Sequence, residues 1–371
     1  MMHDRTNHNH SAPDAVRGPV PVLTPGIRRN TAANFAGLCT SVPVLLFTLA
    51  ILMAISACTQ QKTNAASPDT HESAQPADPV HQQNGAATAT QQPSGPLPQV
   101  NGQRALQYTK DIVAFGPRYV SSPGHKKVEE YIRAKLKPSI VEEDRFTATT
   151  PFGNFPMTNF IAKFPGTKDG IVVLCGHYDT IYNRKDFVGA NDGGSSTGLL
   201  LELADQLRSQ MKNGKREGYS VWVVFFDGEE AFDHWSATDS TYGSRQLADK
   251  WHQDGTFRQI KALLLADMIG DADLQIERDQ NSTGWLEDVI YQAATRYGYQ
   301  SHFFRREAGM EDDHIPFAQT GVPVADLIDF DYGYNNAFWH TKEDTMDKLS
   351  AKSFEIVGNV MLATVQILDG R

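Results

Sequence analysis

From residue 102 onward, stretches with apolar side chains three and four apart alternate with short, near-continuous apolar runs bounded by turn-forming residues. The first pattern belongs to a helix that buries one stripe, the second to a strand buried on both faces. The spacing predicts helices over 105–114, 125–136, 196–210, 244–251, 285–297 and 352–368. It predicts strands over 141–147, 159–164, 171–175, 220–226, 262–268 and 322–328. Such alternation argues for an α/β fold, a single domain with a central mixed, mostly parallel sheet flanked by helices. With no internal repeat and no second linker, residues 101–371 are expected to form that one domain.

The pattern upstream is different. Residues 42–57 are mostly apolar, follow Arg28 and Arg29, and lead through Ile55-Ser56-Ala57 into Cys58. A charged stretch before an apolar one, too short for a span of about 20 apolar residues, reads as an export signal. Its end resembles the lipobox of bacterial lipoproteins, which implies lipidation of Cys58 as the mature N-terminus. Thr59, where an aspartate would retain the chain, implies sorting to the outer membrane. An uncleaved anchor and an ordinary signal peptide are the alternatives. About forty residues precede the apolar run, more than a signal needs, so the start of translation is expected further in. His3, His8 and His10 lie in that leader and are assigned no metal. Residues 1–58 therefore read as a leader, and 59–100, rich in Gln, Thr, Ala, Ser and Pro, as a solvated linker that cannot bury a core.

The 371 residues carry 34 basic and 44 acidic side chains, a formal net charge of −10. Residues 1–58 hold four Arg and two Asp, so the remainder is more acidic still. Nucleic acid and anionic lipid both select basic surfaces, so neither is an expected partner of the domain. Contact with a membrane is expected through the N-terminal lipid alone, with the chain periplasmic and monomeric. Three cysteines, Cys39, Cys58 and Cys175, give no disulfide framework. Cys175 ends the apolar run 171–175 and is expected to be buried and inert.

Four predicted strands run directly into acidic residues or histidine. Residues 171–175 lead to His177-Tyr178-Asp179, 221–226 to Asp227-Gly228-Glu229-Glu230, 262–266 to Asp267, and 322–328 through a loop to Trp339-His340. Ligands of open α/β sheets bind beyond the carboxyl ends of the strands, where these clusters would meet. Oxygen and imidazole donors without thiolate suit zinc or a related divalent ion. The candidate ligands are His177, Asp192, Glu230, Asp267 and His340. Asp192 lies in the turn Gly189-Ala190-Asn191-Asp192-Gly193-Gly194, where a helix N-cap is its competing role. Glu229 and Glu230 are adjacent, so one can bind metal while the other moves protons.

In this order, His177-x-Asp179, Asp192, Glu229-Glu230, Asp267 and His340 resemble the zinc aminopeptidases of peptidase family M28. That likeness implies a zinc exopeptidase-like fold with two zinc ions. One would sit on His177 and Asp267, the other on Glu230 and His340, bridged by Asp192, with Glu229 as general base. A longer likeness runs through Phe225-Phe226-Asp227-Gly228-Glu229-Glu230-Ala231-Phe232, His234-Trp235, Asp239-Ser240, Tyr242-Gly243-Ser244-Arg245 and Leu247-Ala248. It continues in 312–317, 321–324 and Trp339-His340-Thr341. These segments are similar to the animal-type glutaminyl-peptide cyclotransferases, which share the M28 fold.

The second resemblance implies one zinc ion on Asp192, Glu230 and His340, with Glu229, Asp267 and Asp312 as the catalytic acid/base and its hydrogen-bonded carboxylates. It places Trp235, Trp339 and Glu311 at the substrate, although core packing is the usual role of a lone tryptophan. His177 and Asp179 occur in both families and serve either a second metal or the structure. Departures from the animal pattern are Glu311 in place of a glutamine, the lack of a disulfide beside His177, and a longer loop 329–338 with Tyr332, Tyr334, Asn335 and Asn336. The implied reaction is cyclisation of an N-terminal glutamine of a peptide or protein to pyroglutamate, with release of ammonia. A dinuclear aminopeptidase is the alternative, since the ligand set alone does not separate the two. A catalytically dead binding domain would have lost the base or a ligand, and Glu229, Glu230, Asp192 and His340 are all present.

Overall fold

The computed structural model describes residues 95–371. The leader, its lipidation candidate Cys58 and the linker through residue 94 lie outside the described residues. Among the described residues no helix is long and apolar enough to cross a membrane.

Six strands form the main sheet in the order β1 (Ile140–Thr150), β2 (Gly153–Phe164), β4 (Arg216–Phe226), β3 (Gly166–His177), β5 (Ile260–Asp267) and β8 (Val324–Ile328). The pairings β4·β3, β3·β5 and β5·β8 are parallel, while β1·β2 and β2·β4 are antiparallel, so the expected mixed sheet is present. Ile171 to Cys175 and Ala262 to Ala266 are buried without a break, as strands covered on both faces must be. Alternate side chains take opposite sides. Val172 and Leu174 pack against α1 (Gly102–Val113), α3 (Gly194–Ser209), α5 (Gly284–Tyr297) and α7 (Ala351–Asp369). Val173 and Cys175 pack against α4 (Tyr242–Asp254) and Phe317 of the short α6 (Ile315–Gln319).

Helix ends follow local chemistry. The Ser122 hydroxyl accepts the His125 N–H at 2.9 Å ahead of α2 (Pro123–Leu136), which has proline in its first turn where no N–H is needed. Asn101 caps α1 in the same way. Just upstream, Val100 is buried and its N–H donates to Asn359 Oδ1 at 2.7 Å, so packing starts slightly ahead of residue 101.

All six expected strands and six expected helices are found, with shifted ends. The 262–268 strand stops at Asp267 because Met268 turns left-handed at φ 49°. Missing from the sequence reading are β6 (Ile276–Asp279) and β7 (Phe303–Ala308), which form a separate parallel pair, and α6. Ile276 is the one apolar residue of β6, and β7 carries Arg305, Arg306 and Glu307 on its exposed part, so neither shows an apolar run.

Candidate active site

The strands β3, β4, β5 and β8 end along one edge of the sheet. The chain leaves β3 for α3 on one face and leaves its neighbour β4 for α4 on the other. Loops diverging from adjacent strands open a crevice. Into it come His177 from the end of β3, Glu229 and Glu230 from the turn after β4, Asp267 from the end of β5, and His340 from the loop beyond β8. The turn before α3 adds Asp192. Gly193, at φ 69°, caps that helix, and Asp192 makes no cap bond, so its competing role falls away. A Cβ on Gly193 would stand 2.6 Å from the Asp179 carbonyl oxygen, and glycine alone avoids both penalties.

His340 Nε2 lies 3.2 Å from Asp192 Oδ2 and 3.3 Å from Glu230 Oε1. Those two oxygens are buried and have no hydrogen-bond partner among the described residues. Orphaned buried carboxylate oxygens are costly unless a cation meets them. Zinc bonds of about 2.0–2.2 Å in a tetrahedron give donor separations of about 3.3–3.6 Å, so the trio fits a zinc ion. The other oxygen of Asp192, Oδ1, lies 3.2 Å from His177 Nε2, which is also 3.2 Å from Asp267 Oδ1. Two potential metal triads thus share Asp192.

Charges in the crevice are strongly coupled. Burial opposes a charged His340, yet Glu230 and Asp192 outweigh it and push the imidazole up to about 11. Burial raises Glu230 to about 7 against the pull of His340. A divalent cation would replace the imidazole proton, since metal binding at such sites releases protons. Burial also drives Glu229 well above the ordinary carboxylate range, and repulsion from Asp312 and Glu230 adds to it while His177 opposes. Asp312 is raised by burial and then by Asp267 and Asp313. Glu229 and Asp312 therefore hold a proton more tightly than an ordinary carboxylate does.

These groups line a cavity of about 430 Å³, within the range of small-ligand sites. Asp192, Glu229, Glu230, Asp267, Asp312 and His340 supply its polar lining, and Trp235, Trp339, Phe330, Ile328, Met310 and Ile181 its apolar lining. Trp235 is 40% and Trp339 36% exposed, so both belong to the cavity rather than to the core. The Trp339 ring stacks on His340 at 4.1 Å between centroids. Glu311 also lines the cavity.

His177 and Asp179 are buried behind the cavity. Asp179 Oδ1 accepts the Glu229 N–H at 3.1 Å and Oδ2 the Glu230 N–H at 3.3 Å, which makes its role structural. Cys175 is buried beside the Leu264 carbonyl, and burial pushes its thiol up, consistent with inertness.

Several supporting residues have roles that only the structure shows, Asp239 among them although its motif is recognisable in the sequence. Arg118 is fully buried and donates to the carbonyls of Tyr178, Val188, Gly189 and Asp192, lacing the Asp192 turn to the end of β3. Asp239 accepts the N–H groups of Phe232, Asp233 and His234, shaping the turn that presents Trp235. Asp279 accepts the Met310 N–H at 2.9 Å and lies 3.2 Å from His314, bracing the segment of Glu311 and Asp312 from two sides. His340, Met268 and Thr241 have left-handed backbones at φ 53°, 49° and 48°. Strain in non-glycine residues of this kind costs about 1–3 kcal/mol each and gathers at functional sites.

Comparisons with known proteins identify the family. The sequence model of peptidase family M28 matches residues 159–365. The glutaminyl-peptide cyclotransferase of Drosophila melanogaster is 34% identical over 254 residues, 62% of this chain and 70% of the fly chain. That of Bos taurus is 30% identical over 283 residues, 66% of this chain and 76% of the bovine one. The crystal structure of an Acidobacteriales bacterium glutaminyl cyclase superposes with a TM-score of 0.72 at 50% identity, covering 74% of this chain and 97% of that one. A zinc-dependent exopeptidase from Parabacteroides distasonis shares the fold, with a TM-score of 0.64 at 23% identity over 74% of this chain and all of that one.

Proposed function

The chain belongs to the glutaminyl-peptide cyclotransferases within peptidase family M28, it cyclises the N-terminal glutamine of peptides to pyroglutamate with release of ammonia, and we propose that it does so on a single zinc ion held by Asp192, Glu230 and His340. The observation that carries the proposal is the convergence of His340 Nε2 with two unpartnered buried oxygens at 3.2 and 3.3 Å in a cavity also lined by aromatic side chains.

In this reaction the α-amine attacks the side-chain amide carbon, so the amine must lose a proton and the departing nitrogen must gain one. A zinc ion held by Asp192, Glu230 and His340 would supply Lewis acidity toward the amide oxygen. Glu229 takes the amine proton and returns it to the leaving nitrogen, which departs as ammonia. A free α-amine titrates near about 7.7–8.0, and the raised proton affinity of buried Glu229 brings base and amine closer together, which favours the transfer. Asp312 and Asp267 stand beside it, and Asp312, itself pushed up, holds a proton within the cluster. Trp235 and Trp339 flank the glutamine and exclude water, whose attack would give hydrolysis instead of a ring. Holding amine and carbonyl together adds the entropic advantage of an intramolecular reaction.

The approach of His177, Asp192 and Asp267 favours a second reading, a dinuclear aminopeptidase. Incubation with Gln-Phe-Ala separates the two: ammonia with an otherwise intact peptide is expected, whereas free glutamine would establish the aminopeptidase. Metal analysis is expected to give one zinc per chain, and two would argue for the dinuclear centre. The lipobox likeness at Ile55-Ser56-Ala57-Cys58 supports a periplasmic lipoprotein, and Thr59 after the cysteine supports the outer membrane as its anchor. Cys58→Ala is expected to move the chain from the membrane to the soluble fraction.

A further inference from the structure

The metal donors Asp192 and His340 come from segments far apart in the chain, and one buried carboxylate joins them. Asp344, four residues beyond His340, accepts the Asn191 N–H through Oδ1 at 2.8 Å and the Asp192 N–H through Oδ2 at 3.2 Å. Its backbone carbonyl accepts the Ala190 N–H at 3.4 Å. Three consecutive amides of the Asp192 turn thus end on a single residue of the His340 loop. An ionised carboxylate suits this place because it only accepts, and its two oxygens meet adjacent amides at a fixed spacing.

Asp344 is itself held. Its Oδ1 accepts the Tyr332 hydroxyl at 2.8 Å. Tyr332 is fully buried, packs edge-on to Phe338 at 5.3 Å, and belongs to the apolar cluster of Met268 and Ile328, which themselves line the cavity. On the other side of the turn, Arg118 grips the carbonyls of Val188, Gly189 and Asp192. Amides on one side and carbonyls on the other leave the Asp192 turn little freedom to move relative to His340.

We propose that Asp344, oriented by Tyr332, is a positioning residue for the metal, setting the separation of Asp192 and His340 and with it the affinity for zinc. This rests on the assignment of Asp192, Glu230 and His340 as the metal ligands. Outer-shell partners of metal ligands commonly change affinity by about 10- to 100-fold. A residue that only anchored its loop would destabilise the metal-free and zinc-loaded protein alike. A positioning residue acts on the difference between them.

The test uses the full chain and two variants, Asp344→Asn and Tyr332→Phe. Asparagine turns one acceptor into a donor facing an N–H, while phenylalanine keeps the ring and loses the hydroxyl. The readouts are the zinc Kd by chelator competition and the rise in Tm on adding zinc, which follows the Kd by mass action. Asp344→Asn is expected to weaken zinc by about 10- to 100-fold, and Tyr332→Phe by a smaller factor in the same direction. The zinc-induced rise in Tm is expected to shrink in the same order. Kd values within about twofold of wild type in both variants, with lower Tm in both metal states, would overturn the proposal and leave the metal assignment standing. Wild-type protein that takes up no zinc would overturn both. If Asp344→Asn does not fold, the Kd of Tyr332→Phe decides.

Discussion

Asp179 holds Glu229 by its backbone: the carboxylate accepts the Glu229 N–H at 3.1 Å and, with its other oxygen, the Glu230 N–H at 3.3 Å. Two neighbouring side chains with different tasks are thereby aimed from one fixed peptide. Glu230 points to His340 at 3.3 Å, and Glu229 approaches His177 at 3.7 Å. Gly228, at φ 68°, makes the turn that presents both amides to Asp179.

Asp179→Asn replaces one acceptor with a donor facing an amide, so one of the two N–H groups loses its partner. Both metal affinity and turnover are expected to fall, kcat/KM by about 10- to 100-fold. Steady-state ammonia release at several zinc concentrations measures this. If saturating zinc restores wild-type kcat, Asp179 aims Glu230 alone and leaves Glu229 unaffected.

Glu229→Gln preserves shape and hydrogen bonding but cannot carry the proton. It is expected to retain zinc while kcat drops by about 10² or more. Metal content and turnover measured on the same preparation check both halves, and undiminished turnover would remove Glu229 as the base.

The two tryptophans are expected to differ. Trp235 lines the cavity, so Trp235→Ala should mainly raise KM; an unchanged KM would return it to a packing role. Trp339 stacks on His340, so Trp339→Ala should raise KM and weaken zinc binding together. Initial-rate kinetics beside zinc titration distinguish them.

Stability should depend on pH through a pair outside the cavity. His125 Nε2 lies 2.7 Å from Asp227 Oδ1, tying α2 to the turn after β4. Burial works against the imidazolium, but Asp227 outweighs it, so the folded-state pKa stands above the ordinary 6.5. A raised pKa means that the stabilisation is complete below about 6.5 and is lost as pH rises through the folded value. Urea unfolding of wild type and His125→Gln is expected to show the largest gap near pH 6, narrowing toward alkaline pH. A gap independent of pH would mean that the pair contributes no charge.

The positions of the catalytic candidates were legible in the sequence. Apolar runs ending in His177, Glu229-Glu230 and Asp267 announced parallel strands with polar carboxyl ends, because a strand buried on both faces leaves its polar residues only at its tip. Trp235 and Trp339 were recognisable through the motifs around them. Strands such as β6 and β7 were not, since four to six residues with mixed charge have no period to detect.

What the chain order left open was the work of isolated polar residues. Asp192 had the setting of a helix cap, and its alignment on two histidines depends on Gly193 taking that place and on Asp344 and Arg118 gripping the turn. Neither Asp344 nor Arg118 stands out along the chain, because a single carboxylate or guanidinium acquires its role from the amides and carbonyls that packing brings within hydrogen-bond reach. Local propensity and periodicity come from near neighbours and were therefore written in the sequence. The spacing of donors contributed by distant loops came into being only when the sheet assembled and its helices docked.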